Sequence, residues 1–216
     1  EGPKSSGGND SMAILFILCD LPVNHPPLIL ASTSPYRRAL LARLRLNFSI
    51  TAPQVDEAPL AKEKAVDTAL RLAQKKAEAV AKKERDALII GSDQVASFND
   101  QLLGKPGNHA RALAQLKMMR GQTIHFHTAV CLLNTRTQEI KIADVPTTVR
   151  MRNLADDELD RYLHLEQPYD CAGSAKVEGL GIALMESVNS TDPTALIGLP
   201  LITLAQWLRE NNCPIF

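Results

Sequence analysis

Two short runs, Leu28-Ile29-Leu30-Ala31 and Ala87-Leu88-Ile89-Ile90, carry no polar side chain, and each gives way at once to a polar stretch. The first leads into Ser32-Thr33-Ser34-Pro35-Tyr36-Arg37-Arg38 and the second into Gly91-Ser92-Asp93-Gln94. Apolar runs of this length, bounded by turn-forming residues, read as buried strands. Ser34-Pro35 then supplies an N-cap followed by proline at the first helical position, the order that opens a helix. Tyr36, Leu40 and Leu44 follow at four-residue spacing, so this helix is expected to run to about Leu46. Two early polar breaks after buried strands, with helical patterns between, argue for an α/β architecture with a mixed sheet.

The remainder fits that frame. Val66, Leu70, Ala73, Ala77 and Val80 mark the apolar face of a long helix, and the second buried strand is expected to end in Gly91-Ser92-Asp93-Gln94. Val55-Asp56-Glu57-Ala58-Pro59 is a loop, and Gly104-Lys105-Pro106-Gly107 a turn. Asn108 is placed to cap a helix carrying Ala112, Leu116 and Met119; Asn153 is placed to cap another with Leu159, Tyr162 and Leu163. Thr123–Leu133 reads as strand, Asn134–Gln138 as a hairpin turn, and Val145, Thr147, Val149 and Met151 alternate strictly along a further strand. Gly173–Leu184 reads as glycine-punctuated loop and strand, and Leu199–Arg209 as the final helix. A chain of 216 residues without internal repeat or long linker is expected to form one unit with two lobes over residues 28–216. Residues 1–27 form an N-terminal extension, and the Gly- and Ser-rich start has the look of an expression remnant.

Charge narrows the function. The 24 basic and 24 acidic side chains cancel, so no broad attraction to nucleic acid or to an anionic membrane is implied, and any anion must be held by a local cluster. The apolar stretch Ala13–Leu18 is too short to span a bilayer and makes a poor signal sequence. Cys19, Cys131, Cys171 and Cys213 are widely spaced and show no paired motif, which reads as reduced thiols in a cytoplasmic protein.

Several residues could carry chemistry, each with a plainer alternative. A helix start attracts anions through its unpaired N–H groups, and Ser32, Thr33 and Ser34 add hydroxyls there. Arg37 and Arg38 oppose the helix dipole in its first turn, which makes sense if phosphate sits between them; otherwise they are surface arginines. Asp93 after a buried strand could hold a divalent metal or polarise water, or merely close an Asx turn. Lys105 is either a phosphate ligand or a turn residue. Asp56-Glu57 are either hard-cation ligands or a solvated loop, and Lys75-Lys76 would ordinarily be a solvated helix face. His125 and His127 project from one face of a strand but lack a third ligand for zinc, so a packed or hydrogen-bonded strand face is expected.

Taken in order, Ala31–Arg38, Val55-Asp56-Glu57, Ala73–Ala77, Gly91–Val95, Gly104-Lys105-Pro106 and Cys171–Gly181 resemble the Maf family of nucleotide pyrophosphatases, from about Leu28 to Trp207. Gln94, Glu178 and the ending Asp192–Leu201 resemble the branch that acts on 7-methyl-GTP; Tyr36 departs from it, because tryptophan is usual there. The resemblance implies a mixed, elongated, twisted sheet flanked by helices, with two lobes and a central cleft, similar to inosine triphosphate pyrophosphatases. It implies hydrolysis between the α and β phosphates, assisted by Mg²⁺ or Mn²⁺. Ser34, Arg37, Arg38, Lys76 and Lys105 would bind the triphosphate, Asp93 would activate water or hold the metal, and Glu57 would complete the metal site. Tyr36, Gln94 and Glu178 would read the base. An aromatic face suits the cationic ring of 7-methylguanine, a carboxylate suits its two adjacent donors, and Gln94 offers both a donor and an acceptor. The expected partner is a small nucleotide, with no nucleic acid or membrane, and the apolar C-terminal region allows a homodimer. Rival readings are an inosine, xanthosine or pyrimidine triphosphate pyrophosphatase, or a nucleotide-binding regulator of septum formation without turnover.

Overall fold

The computed structural model describes residues 25–216; the N-terminal start, Ala13–Leu18 and Cys19 lie outside the described residues. In chain order the elements are β1 (Leu28–Leu30), α1 (Pro35–Ala42), β2 (Phe48–Ile50), α2 (Ala65–Ala81), β3 (Leu88–Phe98) and β4 (Gln101–Leu103). They continue with α3 (His109–Met119), β5 (Thr123–Asn134), β6 (Glu139–Met151), α4 (Asp156–Glu166), β7 (Met185–Ser190) and α5 (Leu201–Glu210). The strands form one seven-stranded sheet in the order β2-β1-β3-β5-β6-β7, with β4 also on β3. β1 runs parallel to β2 and β3, and every other pairing is antiparallel, so the mixed α/β sheet flanked by helices is as expected.

Side-chain alternation along the strands sorts the core. Leu28, Leu30, Leu88, Ile90, Val130 and Leu132 face one side, where Leu40 and Leu41 of α1 and Leu204 and Leu208 of α5 cover them. Further along that side Ala96, Ile124, Phe126, Val149 and Met151 are covered by Leu116 and Met119 of α3 and by Leu159, Tyr162 and Leu163 of α4. Ile29, Ala31, Ile89, Ala129, Cys131 and Leu133 face the other side, under α2. Each fully buried Leu or Ile contributes about 1.5–3 kcal/mol. Among the described residues no helix is long and apolar enough to cross a membrane.

The site depends on two features of β3. β5 pairs it from Leu88 to Ser97, but on the other edge β1 pairs only Leu88–Ile90 and β4 only Ala96–Phe98. Between them Gly91–Val95 has an open edge, bordered by both faces of the sheet. The second feature is Gly91. A Cβ there would lie 2.1 Å from Ala73 O and 2.9 Å from Ala77 N, so α2 rests directly on the strand.

Several sequence expectations are corrected. β3 does not stop at Gly91-Ser92-Asp93-Gln94 but runs through it, because backbone bonds to β5 carry the strand across polar side chains. α1 ends at Ala42 rather than near Leu46, and Arg45 adopts positive φ as the chain turns into β2, although Leu44 and Leu46 still pack on the core. Ala155, not Asn153, occupies the N-cap of α4, where Glu158 accepts a hydrogen bond from Ala155 N at 2.8 Å. Gly173–Leu184 holds short 3-10 turns, and the strand begins only at Met185. The buried face of α2 is Ala65, Thr68, Ala69, Leu72, Ala73, Lys76, Ala77 and Val80, while Val66 and Leu70 are only half-buried.

Gly91→Ala should cost about 1–3 kcal/mol through overpacking. Gly104→Ala, in open surroundings, should change stability little; equal denaturation midpoints for the two variants would contradict the close contact of α2 with β3.

Candidate active site

The open edge of β3 lies in a cleft of about 590 Å³ lined by, among others, Ser34, Tyr36, Arg37, Glu57, Lys76, Asp93, Gln94, Lys105, Asp170, Cys171, Glu178 and Gly198. That size suits a small-molecule ligand. Arg37 and Asp93, expected to act on one triphosphate, line this same cavity.

One end of the cleft is a charge cluster. Lys76 and Asp93 are only 4% and 6% exposed, and Lys76 Nζ donates to Asp93 Oδ1 at 2.7 Å. Glu57 Oε1, from the exposed loop ahead of α2, lies 2.9 Å from the same ammonium. The ordinary expectation for Lys75-Lys76 therefore holds for Lys75, which is exposed, and fails for Lys76. Asp93 Oδ2 has no hydrogen bond among the described residues, which leaves an oxygen for a ligand or water. Two carboxylates converging on one cationic point form a hard, oxygen-rich donor set, the kind that suits a divalent metal completed by phosphate oxygens.

Arg37 approaches from α1. Ser34 caps that helix, its Oγ accepting from Arg37 N at 3.4 Å, and Ser34 N donates to Ser32 Oγ at 3.1 Å. The Arg37 Nε donates to Gly198 O at 2.9 Å. Burial lowers the Arg37 pKa, opposed by the carboxylates of Asp93 and Glu57. Gly198 has φ +125°, a conformation that other residues rarely adopt. Lys105 lines the same cleft and is exposed. Arg38 is not brought in: it is exposed and borders a separate shallow groove with Ala42, Leu46 and Phe48. Adjacent residues on a helix point about 100° apart, so one arginine of the pair reaches the cleft and its neighbour does not.

The other end is aromatic and acidic. Burial first, then Cys171, Asp170 and Glu178, push the Tyr36 phenol well above its usual pKa. The Cys171 thiol donates to Asp170 Oδ1 at 3.6 Å and is pushed up to about 12, chiefly by burial. Glu178 remains exposed overall, yet crowding by the cleft wall raises its carboxyl pKa, with Glu166 and Asp170 adding to the shift and Lys176 opposing it. Gln94 is engaged differently from expectation. Its Nε2 donates to Thr128 Oγ1 (3.0 Å), Ala195 O (3.0 Å) and Leu196 O (2.9 Å), so only Oε1 stays uncommitted. Gln94 thus ties the 195–198 loop to β3, and Ser92 Oγ does the same through Gly198 O at 2.9 Å.

Sequence reasoning missed Gly198, Asp170 and Cys171. It also missed the buried Asp192, which accepts from Thr194 N (2.8 Å) and Ile202 N (2.7 Å) and so fixes the loop behind Arg37. The signal for Gly198 was the Gly-Leu-Pro sequence just ahead of a helix. His127 Nδ1 pairs with Asp144 Oδ2 at 2.7 Å and His125 Nδ1 lies 3.4 Å from Thr148 Oγ1, a hydrogen-bonded strand face. Cys131 and Cys213 are buried free thiols, and Cys171 is a partly buried one.

Fold and site together define a mixed α/β protein whose cleft places cations and carboxylates at one end and an aromatic, acidic wall at the other. Residues 27–211 match the family model described as Maf-like protein, and the chain belongs to that family. It is 61% identical over 191 residues (88% of this chain, 96% of the relative) to a protein of Cupriavidus metallidurans named 7-methyl-GTP pyrophosphatase. A Ralstonia nicotianae protein of the same name is 60% identical over 191 residues, 88% of this chain and 98% of its own length. Among solved structures, a HAM1 protein from Coxiella burnetii aligns with a TM-score of 0.43 at 15% identity, over 60% of this chain and 74% of that one.

Lys76→Met should destabilise the fold by about 3 kcal/mol, because it strands the buried Asp93 carboxylate. Lys75→Met, at the exposed neighbour, should stay within about 0.5 kcal/mol. Urea unfolding of the two variants side by side checks this.

Proposed function

We propose that this chain hydrolyses 7-methyl-GTP to 7-methyl-GMP and diphosphate, clearing a modified nucleotide from the pool. The observation that carries the reading is the single cleft that joins Arg37, Lys76, Lys105 and two carboxylates to a wall of Tyr36, Asp170 and Glu178. Relatives 56–61% identical that bear the name 7-methyl-GTP pyrophosphatase support the same substrate.

In this reading the triphosphate lies along the open edge of β3. Lys76 holds Asp93 in place through Oδ1, and Oδ2 takes a proton from the attacking water. The water oxygen bonds to the α phosphorus as the bond from that phosphorus to the bridging oxygen breaks. The electron pair leaves with diphosphate, whose charge Arg37, Lys105 and the hydroxyl-rich start of α1 at Ser34 offset. A divalent cation, Mg²⁺ or Mn²⁺, would be held by Glu57 and Asp93 and would supply charge neutralisation at the phosphate oxygens.

At the far end the methylated guanine carries a positive charge. Tyr36 offers it a ring face, and Glu178 accepts from N1–H and the N2 amino group, with Asp170 adding negative potential. Oε1 of Gln94 serves as an acceptor only. This wall favours a cationic purine over the neutral bases of inosine, xanthosine or pyrimidine triphosphates.

Asp93→Asn should keep the fold and lose about 10²–10⁴-fold in turnover. Diphosphate release, followed with and without Mg²⁺, measures it, and near-wild-type turnover would remove Asp93 from the chemistry. Glu178 must be ionised to accept two hydrogen bonds, and its pKa lies above the usual carboxylate value. Preference for 7-methyl-GTP over UTP, read as the ratio of kcat/KM values, should therefore fall on acidification at a higher pH than an ordinary glutamate would give. Glu178→Gln should lower that ratio and flatten its pH profile.

A further inference from the structure

A second group of metal-competent side chains lies outside the cleft, where α3 meets α4. His109 is the first residue of α3, and Asp160 and His164 stand one turn apart on α4. Each offers a ligand atom, and the three atoms lie within 4.8 Å of one another. The two helices are locked together beneath them by Leu116, Met119, Leu159 and Leu163, so the trio rests on a rigid base.

Polar contacts hold the three side chains together. His109 Nε2 lies 2.7 Å from Asp160 Oδ1, and its Nδ1 lies 3.1 Å from the Tyr169 hydroxyl. That hydroxyl also lies 3.4 Å from Leu163 O. A neutral imidazole satisfies both contacts, Nε2–H donating to the carboxylate and Nδ1 accepting from the phenol, and a metal ion binds by displacing that Nε2 proton. A second imidazole stands beside the same carboxylate: His164 Nδ1 donates to the Asp160 backbone carbonyl at 2.9 Å and lies 3.4 Å from Asp160 Oδ2, with its ring centroid 4.6 Å from that of His109. Two imidazoles and one carboxylate, with a hydroxyl fixing one ring from behind, is the donor set and outer shell of a zinc-class site.

We propose that His109, Asp160 and His164 bind a borderline divalent transition metal, of which Zn²⁺ is the probe, at a site separate from the oxygen-donor cleft. Around such an ion, with bonds of about 2.0–2.1 Å, ligand atoms stand about 3.4 Å apart, so the 2.7 Å contact between His109 and Asp160 opens and His164 moves in. The His164 side chain, 68% exposed, supplies that movement, and water completes the coordination. The ion ties the start of α3 to α4 behind the cleft wall. Tyr169 O accepts from Gly107 N at 3.0 Å, and Asp170 and Cys171, the next two residues, line the cleft along with Lys105. Occupancy therefore stiffens the wall facing the base.

The test is calorimetric titration of ZnCl₂ into the whole chain in excess Mg²⁺, comparing wild type with His164→Asn, His109→Asn, Tyr169→Phe and His127→Asn. The wild type should take up one more equivalent of zinc than His164→Asn or His109→Asn, and zinc should raise its Tm more. Tyr169→Phe should keep the site with about 10-fold weaker affinity, and His127→Asn should leave the stoichiometry unchanged. His164 lies on the solvent face, so its replacement keeps the fold. Equal zinc uptake by wild type and His164→Asn would overturn the proposal and leave the trio as a hydrogen-bonded contact between α3 and α4.

Discussion

Everything in the cleft depends on how closely α2 lies against β3. With no side chain at Gly91, the backbone of α2 at Ala73 and Ala77 settles onto the strand. One helical step away, Lys76 is then delivered to Asp93, two residues further along the same face of β3. A larger residue at 91 would lift the helix and withdraw the ammonium. A buried ion pair of this kind is a poor source of net stability, because desolvation offsets most of the attraction. Its worth lies in position: it holds one carboxylate oxygen and leaves the other free beside an open strand edge.

The second constraint is the loop before α5. Asp192 anchors it, Gln94 and Ser92 bind its carbonyls from β3, and Gly198 O receives the Arg37 guanidinium. Three distant stretches of chain thereby share a few hydrogen bonds, and the first turn of α1 is oriented by residues more than 150 positions later. This explains why only one arginine of the pair enters the cleft. Gly198 O offers a single fixed acceptor, and the helix turn carries Arg38 away from it.

The molecule also separates two kinds of cation chemistry. Glu57 and Asp93 present carboxylate oxygens on an open edge, suited to a hard ion that shares phosphate ligands. His109 and His164 present imidazoles on a rigid helix pair, suited to a softer one. Tyr169 and its neighbours Asp170 and Cys171 stand between the two.

By itself the sequence determined the elements whose signals are local. The apolar runs at Leu28 and Leu88 made buried strands, Ser34-Pro35 opened α1, Asn108 capped α3, and strict alternation made β6, because side-chain period and capping act over a few residues. It also carried the order of motifs by which the chain resembles its family. Only the tertiary structure decided what depends on distant partners. β3 continues through a polar motif because β5 satisfies its backbone, and Lys76 is buried because two carboxylates from elsewhere meet it. Arg38 is left outside, and the Gln94 amide nitrogen is drawn to a loop a hundred residues on. Residue type and spacing set what a side chain can bond to; the packing of helix on sheet sets which of those bonds it makes.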